Sequence, residues 1–275
     1  MSMPGNAIPA EEQPSAAQKP PHVLHVIYPS PFEAVRSLLT IIVVALFALT
    51  FILQPFRIPS ESMERTLLVG DFLLVNKTIY GGTSSIWRHL LPYKDVADGD
   101  IVVFHFPLNP PEHVVKRVVG VPGDRIRFVN GVVYRNGKAL TEPHAVYETA
   151  EEDSFRDQFP AGGYTNPGID PHWFQHLRAE VQNGELVVPA DSYFVLGDNR
   201  NHSRDSRYWG FVPRENIVGR PFLIYFSLRQ PSTTDLPEFP QVRAGQAAND
   251  KLGHEEVANR IADFARWSRM LRIVR

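Results

Sequence analysis

Ser60 and Ser62 stand two apart in Pro55-Phe56-Arg57-Ile58-Pro59-Ser60-Glu61-Ser62-Met63-Glu64-Arg65-Thr66-Leu67, in a chain of 275 residues that has no cysteine. Disulfide scaffolds, cysteine-ligated zinc and thiol nucleophiles are thereby excluded, and a serine hydroxyl becomes the nucleophile to look for. Pro55 and Pro59 fix φ and disfavour helix, so both serines should sit in extended or turn backbone. By itself, Ser-x-Ser after a proline also reads as a solvated turn.

A serine of ordinary acidity needs a base. Lys116 lies in His113-Val114-Val115-Lys116-Arg117-Val118-Val119-Gly120. Strand alternation puts Val114, Lys116 and Val118 on one face and Val115, Arg117 and Val119 on the other. A lysine buried among valines loses its charge readily while an arginine keeps it, so of the two only Lys116 could act as a general base. A snorkelling lysine on a sheet edge is the plainer reading of the same octapeptide. The third element, Gly197-Asp198-Asn199-Arg200-Asn201-His202-Ser203-Arg204-Asp205-Ser206-Arg207-Tyr208-Trp209-Gly210, is too polar to be anything but a loop between β-type segments. Its local hydrogen bonds and ion pairs would stiffen it. Within it Ser203 is a candidate to orient a base, and Asp205 with Arg207 a candidate supporting pair. A histidine-based triad through His105, His113 or His202 stays open, because spacing selects none of them. His172 and His176 are four apart but lack the glutamate of H-E-x-x-H and follow Pro171 in a stretch that reads as poorly helical, so no metal site is expected. Phosphate-loop, dinucleotide and G-x-S-x-G motifs are missing.

The elements that must position these groups begin with an anchor. Ser37–Phe56 reads SLLTIIVVALFALTFILQPF, uncharged, and its roughly 20 residues match the length needed to cross a hydrocarbon core of ~30 Å. It starts too late, runs too long and ends in the wrong residues for a cleaved signal peptide. Flanking basic residues are balanced, so the positive-inside rule gives no orientation. Residues 1–35 read as a flexible tail, 36–56 as the anchor, 57–138 with 185–275 as a β domain, and 139–184 as an inserted subdomain, acidic at Glu148–Asp153. Short β-branched and aromatic runs predict the strands: Phe72–Val75, Ile101–Phe106, Val114–Val119, Arg125–Val129, Val132–Tyr134, Glu185–Val188, Tyr193–Leu196 and Phe222–Phe226. Asn130-Gly131 predicts a two-residue hairpin turn, and Asn136-Gly137 a second turn. The fold class expected is mainly β behind a single transmembrane helix. Residues 229–253 read as a linker. From Glu255 onward, apolar residues at near-helical spacing and an arginine-rich end fit either an amphipathic helix on anionic lipid or an element packed on the body. A formal net charge of −2 argues against a nucleic-acid binder.

Together and in this order, PSESMERTLLVGDFLLVNK (Pro59–Lys77), GDIVVFHFP (Gly99–Pro107), VVKRVVGVPGDRI (Val114–Ile126) and GDNRNHSRDSRYWGFVP (Gly197–Pro213) resemble the bacterial type I signal peptidases, membrane-anchored Ser-Lys serine proteases. The resemblance implies that Ser62 is the nucleophile and Lys116 the general base. It implies that the Ser60 hydroxyl and the Ser62 N–H form the oxyanion hole, that Ser203 orients the lysine, and that Asp205 and Arg207 support the site. Phe56, Ile58, Met63, Leu67, Leu73, Val103, Val114 and Val115 would line two shallow apolar pockets for the small residues at −1 and −3 of a cleavage site. No cofactor is implied. The implied substrates are the signal peptides of exported preproteins, and the implied location is the bacterial cytoplasmic membrane, near the secretion translocon, with the body on the outer side. The resemblance also favours a strand for the basic C-terminal segment. Glu61 departs from the small residue usual between the two serines, and Asn201 from a frequent aspartate. Glu61 should therefore point to water, away from the lysine. A binding or assembly module that kept the fold and lost turnover is the alternative that Glu61 leaves open.

Overall fold

The computed structural model of the protein describes residues 30–80, 94–147, 153–161, 167–229 and 264–274. The N-terminal tail up to residue 29, most of the acidic stretch at 148–153, the 230–253 part of the linker and the tail from Glu255 to Asp263 lie outside the described residues. Pro31–Phe47 is an α-helix continued by a wider π-helical turn, Ala48–Ile52. At 22 residues it is long and apolar enough to cross a membrane, and none of its side chains is buried. Leucines, isoleucines and phenylalanines exposed on every side fit a lipid environment, where no apolar face needs a protein partner. The helix ends at Ile52 although the apolar run continues to Phe56. Pro55 has no N–H for a helix, and Leu53–Arg57 instead forms a strand.

The body is built from strands β1 (Leu53–Arg57), β2 (Asp71–Asn76), β3 (Ile101–Phe106), β4 (Asn109–Gly120), β5 (Arg125–Val129), β6 (Val132–Arg135), β7 (Lys138–Ala139), β8 (Val181–Gln182), β9 (Glu185–Val187), β10 (Ser192–Leu196), β11 (Val212–Pro213), β12 (Ile217–Ser227) and β13 (Arg272–Ile273). Each expected run falls in a strand, except that Val188 lies one residue past the end of β9. The larger sheet has the order β1-β2-β12-β3-β4-β10-β11, with β13 also on β12; the smaller runs β7-β6-β5-β9-β8. The smaller sheet takes strands from both sides of the 139–184 insertion. Asn130 and Gly131 both have positive φ, 50° and 78°, as do Asn136 and Gly137 at 53° and 77°. Both central residues of a type I′ turn require this, and it matches the twist of the joined strands.

Two expectations are corrected. Pro171–Glu180 is a regular helix: Pro171 sits in its first turn, where a missing N–H costs nothing, and the Asp170 side chain caps the Trp173 N–H. The polar loop also contains a helical turn, Ser206–Trp209, capped by Asp205.

Among the described residues, three apolar clusters form the core. One, of Ile58, Met63, Leu67, Leu73, Ile101, Ile224 and Val274, lies directly under the segment that carries Ser62. Gly70 closes that segment. Its φ is +89°, its carbonyl accepts the Leu228 N–H at 2.9 Å, and a Cβ there would run into the Leu228 carbonyl oxygen. Gly70→Ala should therefore cost on the order of 2 kcal/mol or more, from left-handed strain and a backbone clash. A thermal melt of the variant within a degree of the parent would show that this contact is not tight.

Candidate active site

Ser60 is extended, at φ −130° and ψ 157°, and opens a 3₁₀ turn, Glu61–Met63, that carries Ser62. Met63 and Leu67 pull this turn onto the core, and across its base the Ile58 N–H donates to the Asp71 carbonyl while the Ile58 carbonyl accepts the Gly70 N–H, both at 2.9 Å. Ser62 is thus buried while Glu61 is exposed, as expected of that carboxylate. The Ser62 N–H lies in the first turn, where no residue of the turn can accept from it.

Lys116 comes from the middle of β4, opposite Val102 of β3. Val118 packs in the same cluster as Val102, with Val114 against it, as alternation requires. The lysine is 3% exposed, and its Nζ lies 2.5 Å from Ser62 Oγ. Ser60 Oγ is 3.3 Å from the same oxygen. His105 and His113 pack against each other near the turn of the β3–β4 hairpin, ring centroids 4.4 Å apart and tilted by 46°, and His202 is exposed on the polar loop, while the Ser62 hydroxyl is held by Lys116. Burial pushes the Lys116 amine down to about 8. Asp205 and Asp198 pull it back up, and Arg207 opposes them.

The polar loop presses against this pair. The Asn199 N–H donates to the Ser62 carbonyl at 3.1 Å. Gly197 is required here, since a Cβ would collide with the Ser62 carbonyl oxygen and the Ser203 side chain. Asp205 accepts a fork from Arg207, Nε and Nη2 both at 2.8 Å, together with the Gly197 N–H at 3.2 Å. Burial raises the Asp205 carboxyl, but Arg207 and then Lys116 outweigh it and hold it below the usual carboxylate range. Arg207 in turn donates to the Arg200 carbonyl at 2.8 Å. Ser203 is buried beside Gly197, yet among the described residues its Oγ makes no hydrogen bond, so the bond to Lys116 implied for it is not formed here.

The eight pocket candidates separate into two groups. Phe56, Val114 and Val115 are half-buried and present surface. Ile58, Met63, Leu67, Leu73 and Val103 are 0–3% exposed and belong to the interior. Side chains this deeply buried offer almost no surface to a bound molecule in this conformation.

Sequence reasoning missed a second pair. Arg117, buried like its neighbour, donates from Nε and Nη2 to Asp198 at 2.8 and 2.7 Å and from Nη1 to the Gly99 carbonyl at 2.9 Å. Thr66 Oγ1 donates to Asp198 at 2.5 Å. Thr66 therefore ties the Ser62 segment to the loop and, through Asp198, to the residue beside Lys116. The one signal in the sequence was the arginine beside a lysine in a valine strand, which demands a buried carboxylate somewhere.

Comparisons with known proteins show the family. The family model described as signal peptidase, peptidase S26, matches residues 32–226. Signal peptidase I of Pseudomonas fluorescens is 35% identical over 247 residues, covering 85% of this chain and 86% of that protein. The Pseudomonas aeruginosa enzyme is 35% identical over 236 residues, covering 81% and 82%. Signal peptidase I of Aquifex aeolicus is 35% identical over 235 residues, covering 74% and 87%. The chain belongs to the signal peptidase family, peptidase S26, and is a serine endopeptidase of the class that removes signal peptides.

A lysine held at about 8, against an ordinary value of 10.5, is a stability cost as well as a chemical asset. The unfolded chain binds the proton more tightly, so the penalty, about 3 kcal/mol, is complete below pH 8 and fades as pH rises toward 10.5. Lys116→Met should therefore be inactive yet more stable than the parent, with the difference in melting temperature largest near pH 7 and narrowing above pH 8. A gap that widened with pH would contradict the neutral-amine account.

Proposed function

We propose that Ser62 and Lys116 are the catalytic dyad that cleaves signal peptides from preproteins. The observation that carries this is the 2.5 Å approach of a buried, easily neutralised amine to the hydroxyl of a buried serine. In its neutral form Lys116 accepts the Ser62 proton as Oγ attacks the carbonyl before the scissile bond. The Ser60 hydroxyl and the Ser62 N–H donate to the developing oxyanion, each such donor typically contributing ~2.7–4 kcal/mol in the transition state. The protonated lysine then gives its proton to the departing amine of the mature chain. In the second half a water, activated by the same amine, hydrolyses the ester and frees the signal peptide. Asp205 and Arg207 stiffen the loop that backs the dyad, and Ser203 is placed to orient the amine once its hydroxyl turns toward it. Phe56, Val114 and Val115 form the walls that meet the small residues at −1 and −3, over the buried floor of Ile58, Met63, Leu67, Leu73 and Val103.

In this reading the apolar helix at residues 31–52 anchors the chain in the lipid of the bacterial cytoplasmic membrane, near the secretion translocon, with the body on the outer face. The catalytic β domain comprises 57–138 and 185–275, and the 139–184 insertion grows out of the smaller sheet. Support for the location comes from the apolar helix and from the bacterial relatives.

The test uses the full chain in detergent micelles or proteoliposomes with a signal-peptide-bearing precursor. Ser62→Ala and Lys116→Ala should each lower cleavage by about 10³-fold or more while leaving the melting curve cooperative. For the parent, kcat/KM should climb with pH through a midpoint near 8 as the amine loses its proton. Undiminished turnover by Lys116→Ala at neutral pH would eliminate the dyad.

A further inference from the structure

The Ser62 segment is gripped from a part of the chain about 200 residues away. Ala265 to Val274 returns to the body and lies along β12, with the Leu271 N–H on the Ile224 carbonyl at 2.8 Å and Val274 buried in the cluster under Ser62. From this segment Arg269, buried, donates to the Asp71 carboxylate from Nη2 at 2.5 Å and from Nε at 3.2 Å, and to the Thr66 backbone carbonyl at 3.1 Å. Arg266 donates to the Val69 carbonyl at 2.8 Å. Thr66 is the residue whose hydroxyl reaches Asp198, and its N–H donates to Met63, next to the nucleophile. One guanidinium therefore holds both ends of the Thr66–Asp71 stretch that closes the turn bearing Ser62.

We infer that Arg269 is a positioning residue for catalysis: acting through the Thr66 carbonyl and Asp71, it fixes the turn that sets Ser62 Oγ against Lys116 Nζ. The inference rests on the Ser62–Lys116 reading and assigns the C-terminal segment a part in the reaction. Asp71 does not depend on Arg269 alone, since it also accepts the Ser227 hydroxyl at 2.6 Å and the Leu68 N–H at 2.9 Å, with Arg266 3.6 Å away. A lysine in place of Arg269 therefore leaves the carboxylate with a cation and its other partners, while the Thr66 carbonyl loses its tether; removing the charge altogether also costs stability, because Asp71 is buried. The fork is what matters. A lysine at this position reaches Asp71 as a point charge but cannot serve Asp71 and the Thr66 carbonyl in one plane.

The experiment compares Arg269→Lys and Arg269→Met with the parent, with Arg272→Ala, exposed on the same segment, as control and Lys116→Ala as reference. For each, kcat, KM, the pH profile and the melting temperature are measured on the full chain with a signal-peptide-bearing precursor. Arg269→Lys should melt close to the parent yet lose about 10-fold or more in kcat, with KM changed less than about twofold, because a misplaced nucleophile weakens the chemical step and not the binding. Its ascending limb should move to higher pH, since a loosened turn admits water to Lys116. Arg269→Met should lose at least as much in kcat, with a lower melting temperature because the buried Asp71 loses its forked cation, and Arg272→Ala should show neither effect. Parent-like kcat and an unmoved limb in Arg269→Lys would overturn the inference while leaving the dyad standing, as would a loss matched by the unfolded fraction. Active Lys116→Ala would bring down the dyad and this inference together.

Discussion

Everything in the body serves one unfavourable arrangement: an amine buried beside a hydroxyl with two carboxylates nearby. A lysine is useful as a base only while neutral, and neutrality comes from desolvation. Yet Asp205 and Asp198 both pull the amine back toward its charged form. The resolution is that neither carboxylate is bare. Asp205 is forked by Arg207 and Asp198 by Arg117, each through two hydrogen bonds of 2.7–2.8 Å. Each pair presents little net charge to Lys116, so burial prevails. Arginine is the required partner on both sides, because a lysine in its place could itself become neutral in the same interior and leave the carboxylate unscreened.

Geometry follows from the same demand. A buried ion pair gains little stability over an apolar replacement, but losing one partner is strongly destabilising, so such pairs fix positions more than they add strength. Here they fix the loop at Gly197–Gly210 against the serine turn. Backbone approach does the rest: Gly197 lets the loop touch the Ser62 carbonyl, and Gly70 lets the end of β12 touch the base of the turn. The Ser62 turn is held from below by Met63 and Leu67, from the side by Asn199, and from behind by Thr66.

Much of this was legible from the residues, and for identifiable reasons. The strands were readable because β-branched alternation and Asn-Gly turns are local signals. The loop was readable as rigid from its charge pattern, though its short helix was not. Ser62 with Lys116 was a different matter: 54 residues and several strands separate them, and alternation alone offered Lys116 as one candidate base beside three histidines. The ordered motifs of a family resemblance supplied the pairing. The helix end at Ile52 was misplaced by four residues, because hydropathy marks apolar chain without marking where Pro55 diverts it into β1. Thr66, Asp198 and Arg269 went unnoticed since each acts across a tertiary contact, and an arginine near a chain end reads first as a surface charge. Which of the eight pocket positions would be buried was not legible either, since positions that present surface and positions that support it look alike in sequence.

The apolar helix and Ser62 are joined by very little chain. Ser62 lies ten residues beyond Ile52, the last residue of that helix, and at most ~3.3–3.6 Å of reach per residue keeps it within about 35 Å of Ile52. Strand β1 occupies five of those ten residues and is fixed by pairing with β2, so the route from Ile52 to the Ser62 turn is ordered sheet and not loose linker. Pro55 makes that possible: by ending the helix it converts the last apolar residues of the run into the first strand of the body, and Ser60, three residues after that strand ends, opens the turn that carries Ser62.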